Sequence, residues 1–240
     1  KNKKIKIKYG ENPNQKAYYT SGSEKNIFNS KLNGKDIGYN NIVDVSEGLD
    51  CLNEFDEPTC VIIKHNNPCG VGSSKNINAA YLKALKSDPI SAFGGVVLFN
   101  RKIDKNLAKV LNKKFYEVVV SPKFDKPALE ELKLKKRLII INSSKLKQKH
   151  KLNFKTVSSG ILYQEFNSLR MSKSKIKLVS EKKASEKKIK DMIFAYKVAK
   201  HVKSNAIVFV SNKQTLGIGA GQMSRLDSTN IAIMKYKKLF

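Results

Sequence analysis

Pro58-Thr59-Cys60-Val61-Ile62-Ile63-Lys64-His65-Asn66-Asn67-Pro68-Cys69-Gly70 runs from a helix breaker through an apolar core to a polar turn. Residues 59–63 are almost continuously apolar. A run of that length between Pro58 and an Asn-Pro-Cys-Gly turn is the pattern of a buried strand. Before it, Ile42, Val43, Leu49 and Leu52 are spaced as the apolar positions of a short helix over residues 42–53. After it, Ala79, Ala80, Leu82 and Leu85 mark a helix that Ser87-Asp88-Pro89 stops. Residues 96–99 read as a second strand, residues 117–120 as a third and residues 138–141 as a fourth. Ile103, Leu107, Val110 and Leu111 space as one intervening helix, and Leu129, Leu132 and Leu134 as another. Such alternation predicts an α/β fold with a largely parallel sheet and right-handed crossovers.

Residues 142–154 are Lys- and Ser-rich, as are residues 172–190. The latter lead into a helix whose face carries Ile189, Met192, Ile193, Tyr196 and Ala199. Residues 206–210 then read as a strand that residues 211–214 turn back into residues 215–219. The expected organisation is a first unit over 1–150, a connector over 151–174 and the start of a second α/β unit over 175–240. One helix and one hairpin make a marginal unit. That unit is therefore expected to pair with another subunit or with sequence past Phe240.

The chain has 240 residues, of which 40% are hydrophobic and 8% aromatic, enough for one or two folded domains. No apolar run reaches the roughly 18 to 20 residues of a membrane span, so no membrane association is expected. The chain opens on Lys1 rather than Met, which suggests a fragment or a processed product. Residues 1–8 are basic but lack the apolar centre of a signal peptide. The formal charge is +27, yet only four of 47 basic residues are Arg. Lys, Asn and Ile share AT-rich codons, so genome bias accounts for the excess. A dedicated nucleic-acid binder would use more Arg for bidentate contacts, and nucleic acid is not the expected partner. Cys51, Cys60 and Cys69 are odd in number and show no paired spacing, which fits a reducing cytoplasm. His65, His150 and His201 form no H-x-x-x-H pair.

Lys64 and His65 stand where the first strand ends. Adjacent residues of a continuing strand face opposite ways, but a turn here lets both converge. His suits general base work near neutral pH, and a partly buried Lys loses proton affinity and can act as an acid. The plainer reading is a Lys closing an edge and a His hydrogen-bonded to the turn. Zinc is not expected: a zinc deaminase needs H-x-E and P-C-x-x-C, whereas Asn67 follows two after His65 and residue 72 is Gly. A Cys69–His65 nucleophile is not expected either, because nothing in the pattern orients the His and a buried thiol is the commoner outcome. Phe93-Gly94-Gly95 permits close backbone approach to a ligand, or merely a tight turn. Gly217, Gly219 and Gly221 form G-x-G-x-G, not the dinucleotide pattern, at a strand end where backbone N–H groups can form an anion nest. Arg225, one helical turn on, offers a fork-shaped contact that Lys cannot copy, or is a plain surface residue. Asn205 could bind an amide edge or simply turn the chain.

Taken together, these segments resemble the transformylase portion of the bifunctional purine-biosynthesis enzymes. The resemblance runs from Tyr9-Gly10-Glu11-Asn12-Pro13 almost to Asp227. It includes Tyr39-Asn40-Asn41-Ile42, Lys64-His65-Asn66-Asn67-Pro68-Cys69-Gly70, Ser91-Ala92-Phe93-Gly94-Gly95, Val202-Lys203-Ser204-Asn205-Ala206 and Gly217-Ile218-Gly219-Ala220-Gly221-Gln222-Met223-Ser224-Arg225. That family transfers a formyl group from 10-formyltetrahydrofolate to aminoimidazole carboxamide ribonucleotide (AICAR). The resemblance implies a cytidine-deaminase-like α/β fold in two related halves, without zinc, and a homodimer with active sites across its interface. It implies that Lys64 and His65 are the catalytic pair and that Tyr9, Gly94, Asn205 and Arg225 contact the nucleotide. Glu117 takes an acidic nucleotide-contacting position, and Leu226 lies where the folate approaches. Lys8 stands where the family has Arg, keeping the charge at the nucleotide but losing the two-pronged bond. Asn14 stands where the family has His. The family continues for about a hundred residues past Gly221, by the measure of the missing half unit. The second half is thus expected to be incomplete, and a preceding cyclohydrolase domain to be missing. The attacking amine is weakly nucleophilic, so it needs a base, His65, and a cation or acid near the formyl oxygen and leaving nitrogen, Lys64. Two alternatives are a catalytically incomplete nucleotide-binding or dimerisation remnant, and a basic RNA-binding protein, whose binding would fall steeply with salt.

Overall fold

The computed structural model describes residues 3–21, 23–146 and 152–240; His150 and the first residue of the expected connector lie outside them. β1 (Lys3–Ile7) and β2 (Ala17–Ser21) pair as an antiparallel ribbon. β3 (Lys31–Asn33) precedes α1 (Tyr39–Leu52), the hairpin of β4 (Thr59–Lys64) and β5 (Asn67–Ser73), and α2 (Ile77–Ser87). There follow β6 (Val96–Phe99), α3 (Lys105–Asn112), β7 (Val118–Ser121), α4 (Lys126–Lys133) and β8 (Ile139–Asn142). β9 (Leu152–Val157) and β10 (Gly160–Glu165) form a second hairpin. α5 (Glu186–Ala199), β11 (Ile207–Ser211), β12 (Gln214–Gly219) and α6 (Arg225–Leu239) complete the order. α2, α3, α5 and α6 begin where a side chain satisfies a first-turn N–H group. Asn76 accepts from Ala79 N, Asp104 from Leu107 N, Ser185 from Lys188 N, and Ser224 from Leu226 N and Asp227 N.

Among the described residues, eight strands form one sheet in the order β11-β12-β5-β4-β6-β7-β8-β3. β4 lies at its centre. Its side chains alternate between two packed layers, which is why the whole run is apolar. Val61 and Ile63 face Val45, Leu49 and Leu52 of α1 and Phe194 and Val198 of α5. Cys60 and Ile62 face Ala80, Tyr81 and Ala84 of α2, Leu107 and Leu111 of α3, and Leu132 of α4. The α/β expectation holds.

The expectation of a largely parallel sheet does not. Only β6, β7 and β8 run parallel, and β4 pairs antiparallel with both β5 and β6. The cause is that Asn67-Pro68-Cys69-Gly70, read as a turn, opens strand β5 (Asn67–Ser73). Pro68 is tolerated because it sits where the register slips between Ile62 and Ile63. Gly70 and Gly72 are required because α2 lies directly on them. A Cβ on Gly70 would stand 2.0 Å from Ala84 O, and one on Gly72 2.6 Å from Ala80 O. β12 repeats the device under α6. There Cβ atoms on Gly217 and Gly219 would meet Ala232 O at 2.2 Å and Ser228 O at 1.8 Å. Gly217 and Gly219 are therefore packing positions inside a strand, not an anion nest.

The β11–β12 hairpin joins the sheet of the first unit through β12, which docks on β5, and β11 stands at the outer edge of that sheet. Thr215 Oγ1 accepts from Val71 N at 2.9 Å, and the Ser87 hydroxyl donates to Thr215 O at 2.6 Å. The result is two back-to-back units, α1–β4–β5–α2 and α5–β11–β12–α6. Residues 152–165, expected as connector, are the β9–β10 hairpin, which is exposed along its whole length.

Candidate functional site

Two consecutive residues, His65 (φ 54°) and Asn66 (φ 61°), close the β4–β5 hairpin in the left-handed region. This is the two-residue turn that matches strand twist. It breaks the alternation after Lys64, as the sequence suggests, but one residue earlier than the Asn66-Asn67-Pro68-Cys69-Gly70 segment implies. The turn is held from outside: Asn66 N donates to Asp44 Oδ1 of α1 at 2.7 Å, and Asn67 Nδ2 donates to His65 O at 3.1 Å. His65 is exposed, and its imidazole acts electrostatically on the Asp44 carboxylate.

Lys64, Gly95 and Glu117 lie in one row across three strands. Ile63 pairs with Val96 and Val96 with Val118, and Glu117 N donates to Gly95 O at 3.0 Å. At about 4.8 Å per strand, the Lys64 and Glu117 backbones are roughly 10 Å apart. β4 runs into this edge while β6 and β7 run out of it, so the row is not at the carboxyl ends of a parallel sheet. Lys64 Nζ donates to Phe93 O at 2.7 Å, linking the Lys to the glycine turn. Gly94 has φ 72°, and its N–H donates to Phe115 O at 2.9 Å. Phe93 and Phe115 form an exposed aromatic pair beside it, with ring centroids 5.1 Å apart. Glu117 is ion-paired with Lys35.

The second unit reaches the same edge. Because β12 is antiparallel to β5, its end at Gly219 lies beside the start of β5. Lys203 N donates to Asn67 Oδ1 at 2.9 Å, and Gly221 N to Lys203 O at 2.8 Å. Asn205 Nδ2 donates to Gln222 O and Met223 O at 2.9 and 3.0 Å, so its amide shapes the loop, while Asn205 O accepts from Ser228 Oγ. Arg225 opens α6. Among the described residues its guanidinium has no hydrogen bond or ion pair, and it is exposed. Met223 and Leu226 beside it are 93% and 67% exposed.

The structure thus gathers Lys64, His65, Gly94, Glu117, Asn205, Arg225 and Leu226 at one edge of the sheet. Lys8 and Tyr9 stand apart on the loop after β1, where Lys8 Nζ lies 5.9 Å from the Tyr9 ring centre. That loop reaches α1 through Asn40 Nδ2, which donates to Glu11 O at 3.3 Å. Cys69 donates to Ile62 O, and burial, with a smaller push from Asp88, raises its thiol to about 12. A thiol so held is a packing group, not a nucleophile. Two open clefts, of about 340 and 400 Å³, lie along α5 and include none of these residues. Sequence reasoning missed Asp44, whose helix position gives no chemical signal. It also missed the platform that Phe115 makes with Phe93, which only the fold brings together.

The family profile described as AICARFT/IMPCHase bienzyme matches residues 1–235. The bifunctional purine biosynthesis protein PurH of Caldicellulosiruptor bescii is 48% identical over 236 residues, covering 95% of this chain and 46% of that protein. Proteins of the same name from Buchnera aphidicola subsp. Schizaphis graminum and Bacillus cereus are 43% and 44% identical, over 98% and 96% of this chain and 46% of each relative. The chain therefore belongs to the AICARFT/IMPCHase bienzyme family, and it spans about half the length of the curated relatives it matches.

Proposed function

We propose that this chain carries the formyl-transfer site of that family, passing a formyl group from 10-formyltetrahydrofolate to the amine of AICAR in purine biosynthesis. The observation that carries the reading is the single sheet edge on which Lys64, His65, Gly94, Glu117, Asn205 and Arg225 converge. Arg225, without a hydrogen bond or ion pair among the described residues, supplies a fork for the nucleotide phosphate. Asn205 holds the loop that presents it. Gly94 lets the backbone approach the ligand, Glu117 offers an acceptor once Lys35 yields, and Lys8 and Tyr9 close on the nucleotide from the α1 side. The exposed pair Phe93 and Phe115, with Leu226, offers an apolar surface on which the planar folate can lie.

His65 takes the proton as the AICAR amine attacks the formyl carbon. The new C–N bond forms, the formyl carbon leaves the folate nitrogen, and the proton passes to that nitrogen. Lys64, released from Phe93 O, supports the negative charge developing on the formyl oxygen. The proposed chemistry uses no zinc.

The back-to-back units support a cytidine-deaminase-like fold in two related halves, residues 1–150 and 175–240 joined by 151–174. Assembly as a homodimer suits the exposed apolar side chains at the site edge and along β9–β10. A cytoplasmic setting suits three free cysteines.

The test is turnover with both substrates, alongside AICAR binding, for the parent chain and Lys64→Met. Formyl-AICAR production that disappears in Lys64→Met while AICAR binding persists supports the assignment. Full turnover by Lys64→Met would sink it. Binding without turnover by the parent would select a nucleotide-binding remnant instead.

A further inference from the structure

Both hairpins of the sheet close on left-handed residues, and an aspartate reaches each from the helix before it. In the first unit the turn is His65–Asn66, and Asp44 of α1 accepts from Asn66 N at 2.7 Å. In the second the turn is Asn212 (φ 51°) and Lys213 (φ 54°), and Asp191 of α5 accepts from both backbone N–H groups at 3.0 Å. Each aspartate is the sixth residue of its 14-residue helix. Because β12 is antiparallel to β5, the two turns lie at opposite edges of the sheet. Only the first turn bears a residue of the candidate site.

Non-glycine residues at positive φ are uncommon, and two in succession need outside support. His65 cannot become glycine without losing its imidazole, so its backbone must be held. Asp44 does this from α1, a helix anchored in the core by Val45 and Leu49. We propose that Asp44 is a positioning residue of the site: by accepting the Asn66 N–H it fixes the left-handed turn that aims His65 beside Lys64. The proposal rests on the reading of Lys64 and His65 as the reacting pair. Burial, the largest influence, holds the Asp44 carboxyl above the usual carboxylate range despite the bond from Asn66 and the nearby His65. An amide at this place keeps an acceptor oxygen for the Asn66 N–H, so Asn separates the hydrogen bond from the charge.

The test compares Asp44→Ala, Asp44→Asn and Asp191→Ala by amide hydrogen exchange and AICAR titration. Asp44→Ala should speed exchange at Asn66 about tenfold or more and weaken AICAR binding by a similar factor, since a part-buried donor loses its acceptor and His65 its place beside Lys64. Asp44→Asn, which keeps the acceptor oxygen, should restore both. Asp191→Ala should speed exchange at Asn212 and Lys213 and leave AICAR affinity unchanged. If Asp44→Ala fails to fold, Asp44→Ala/Asn66→Gly replaces it. Glycine adopts positive φ freely, so this variant should regain AICAR affinity. Unchanged exchange at Asn66 in Asp44→Ala overturns the proposal, as does equal loss of AICAR affinity in Asp191→Ala. If the parent chain binds no AICAR, the functional reading fails, and the exchange data alone decide whether Asp44 holds the His65 turn.

Discussion

Replacing Gly219 by Ala tests how the second unit is held against the sheet. A Cβ at this position stands 1.8 Å from Ser228 O of α6, and the obstacle is backbone, which cannot rotate away. A comfortable carbon–oxygen contact needs roughly 3.3 Å or more, so α6 must retreat by about 1.5 Å or β12 must bend. Overpacking of this kind costs about 3 kcal/mol, the upper end of its usual range. For a chain of this size that corresponds to a fall of about 6–12 °C in Tm. Gly160→Ala is the control, because nothing lies within 4 Å of its new Cβ. It should change stability by less than about 0.5 kcal/mol. Urea unfolding of the parent and both variants measures the difference directly. Should Gly219→Ala unfold at the same midpoint as Gly160→Ala, the claim that glycine is there for helix contact is wrong. The same retreat moves Arg225 at the start of α6, so AICAR affinity should fall along with stability.

Asp88, buried at the end of α2, accepts from Lys235 of α6 at 2.5 Å and from Ser91 N and Oγ. Burial opposes its ionisation, but the bonds from Lys235 and Ser91 outweigh that and hold the carboxyl below its usual range. Its contribution is therefore present above the unfolded-state carboxylate value and is lost as pH falls through the lower folded value. Asp88→Asn should cost about 2 kcal/mol at pH 7. The gap to the parent should close towards pH 3 in urea midpoints; curves that stay parallel would contradict the pairing. Cys69, raised to about 12, should resist iodoacetamide at pH 7.5 in the folded chain and react only on unfolding. Rapid alkylation of the native protein would reinstate it as a reactive thiol.

Much of this architecture is legible along the chain. The run at residues 59–63 marks the central strand because burial on both faces leaves no room for polar alternation. The helices before and after it follow from their apolar spacing. β5 is illegible locally: in Asn-Pro-Cys-Gly-Val-Gly-Ser only Val71 favours a strand, against one proline and two glycines. Its glycines answer to α2, which packs on them only after the chain has folded back. The same holds for Gly217 and Gly219 under α6. The β9–β10 hairpin hides for another reason: its side chains are exposed on both faces, so no buried face imposes alternation. At the site, Lys64, His65, Gly94 and Arg225 stand out as residue types at strand and helix ends. Asp44 does not, because its role is defined by a turn 22 residues away in sequence.

The most direct measurement is equilibrium binding of AICAR at physiological salt to the parent chain and to Arg225→Ala. The parent chain should bind AICAR saturably, and Arg225→Ala should bind it at least about tenfold more weakly, the weight of one charge-assisted fork. A folded parent chain that binds no AICAR, or an Arg225→Ala chain that binds it equally well, would contradict the assignment of this sheet edge as the nucleotide site.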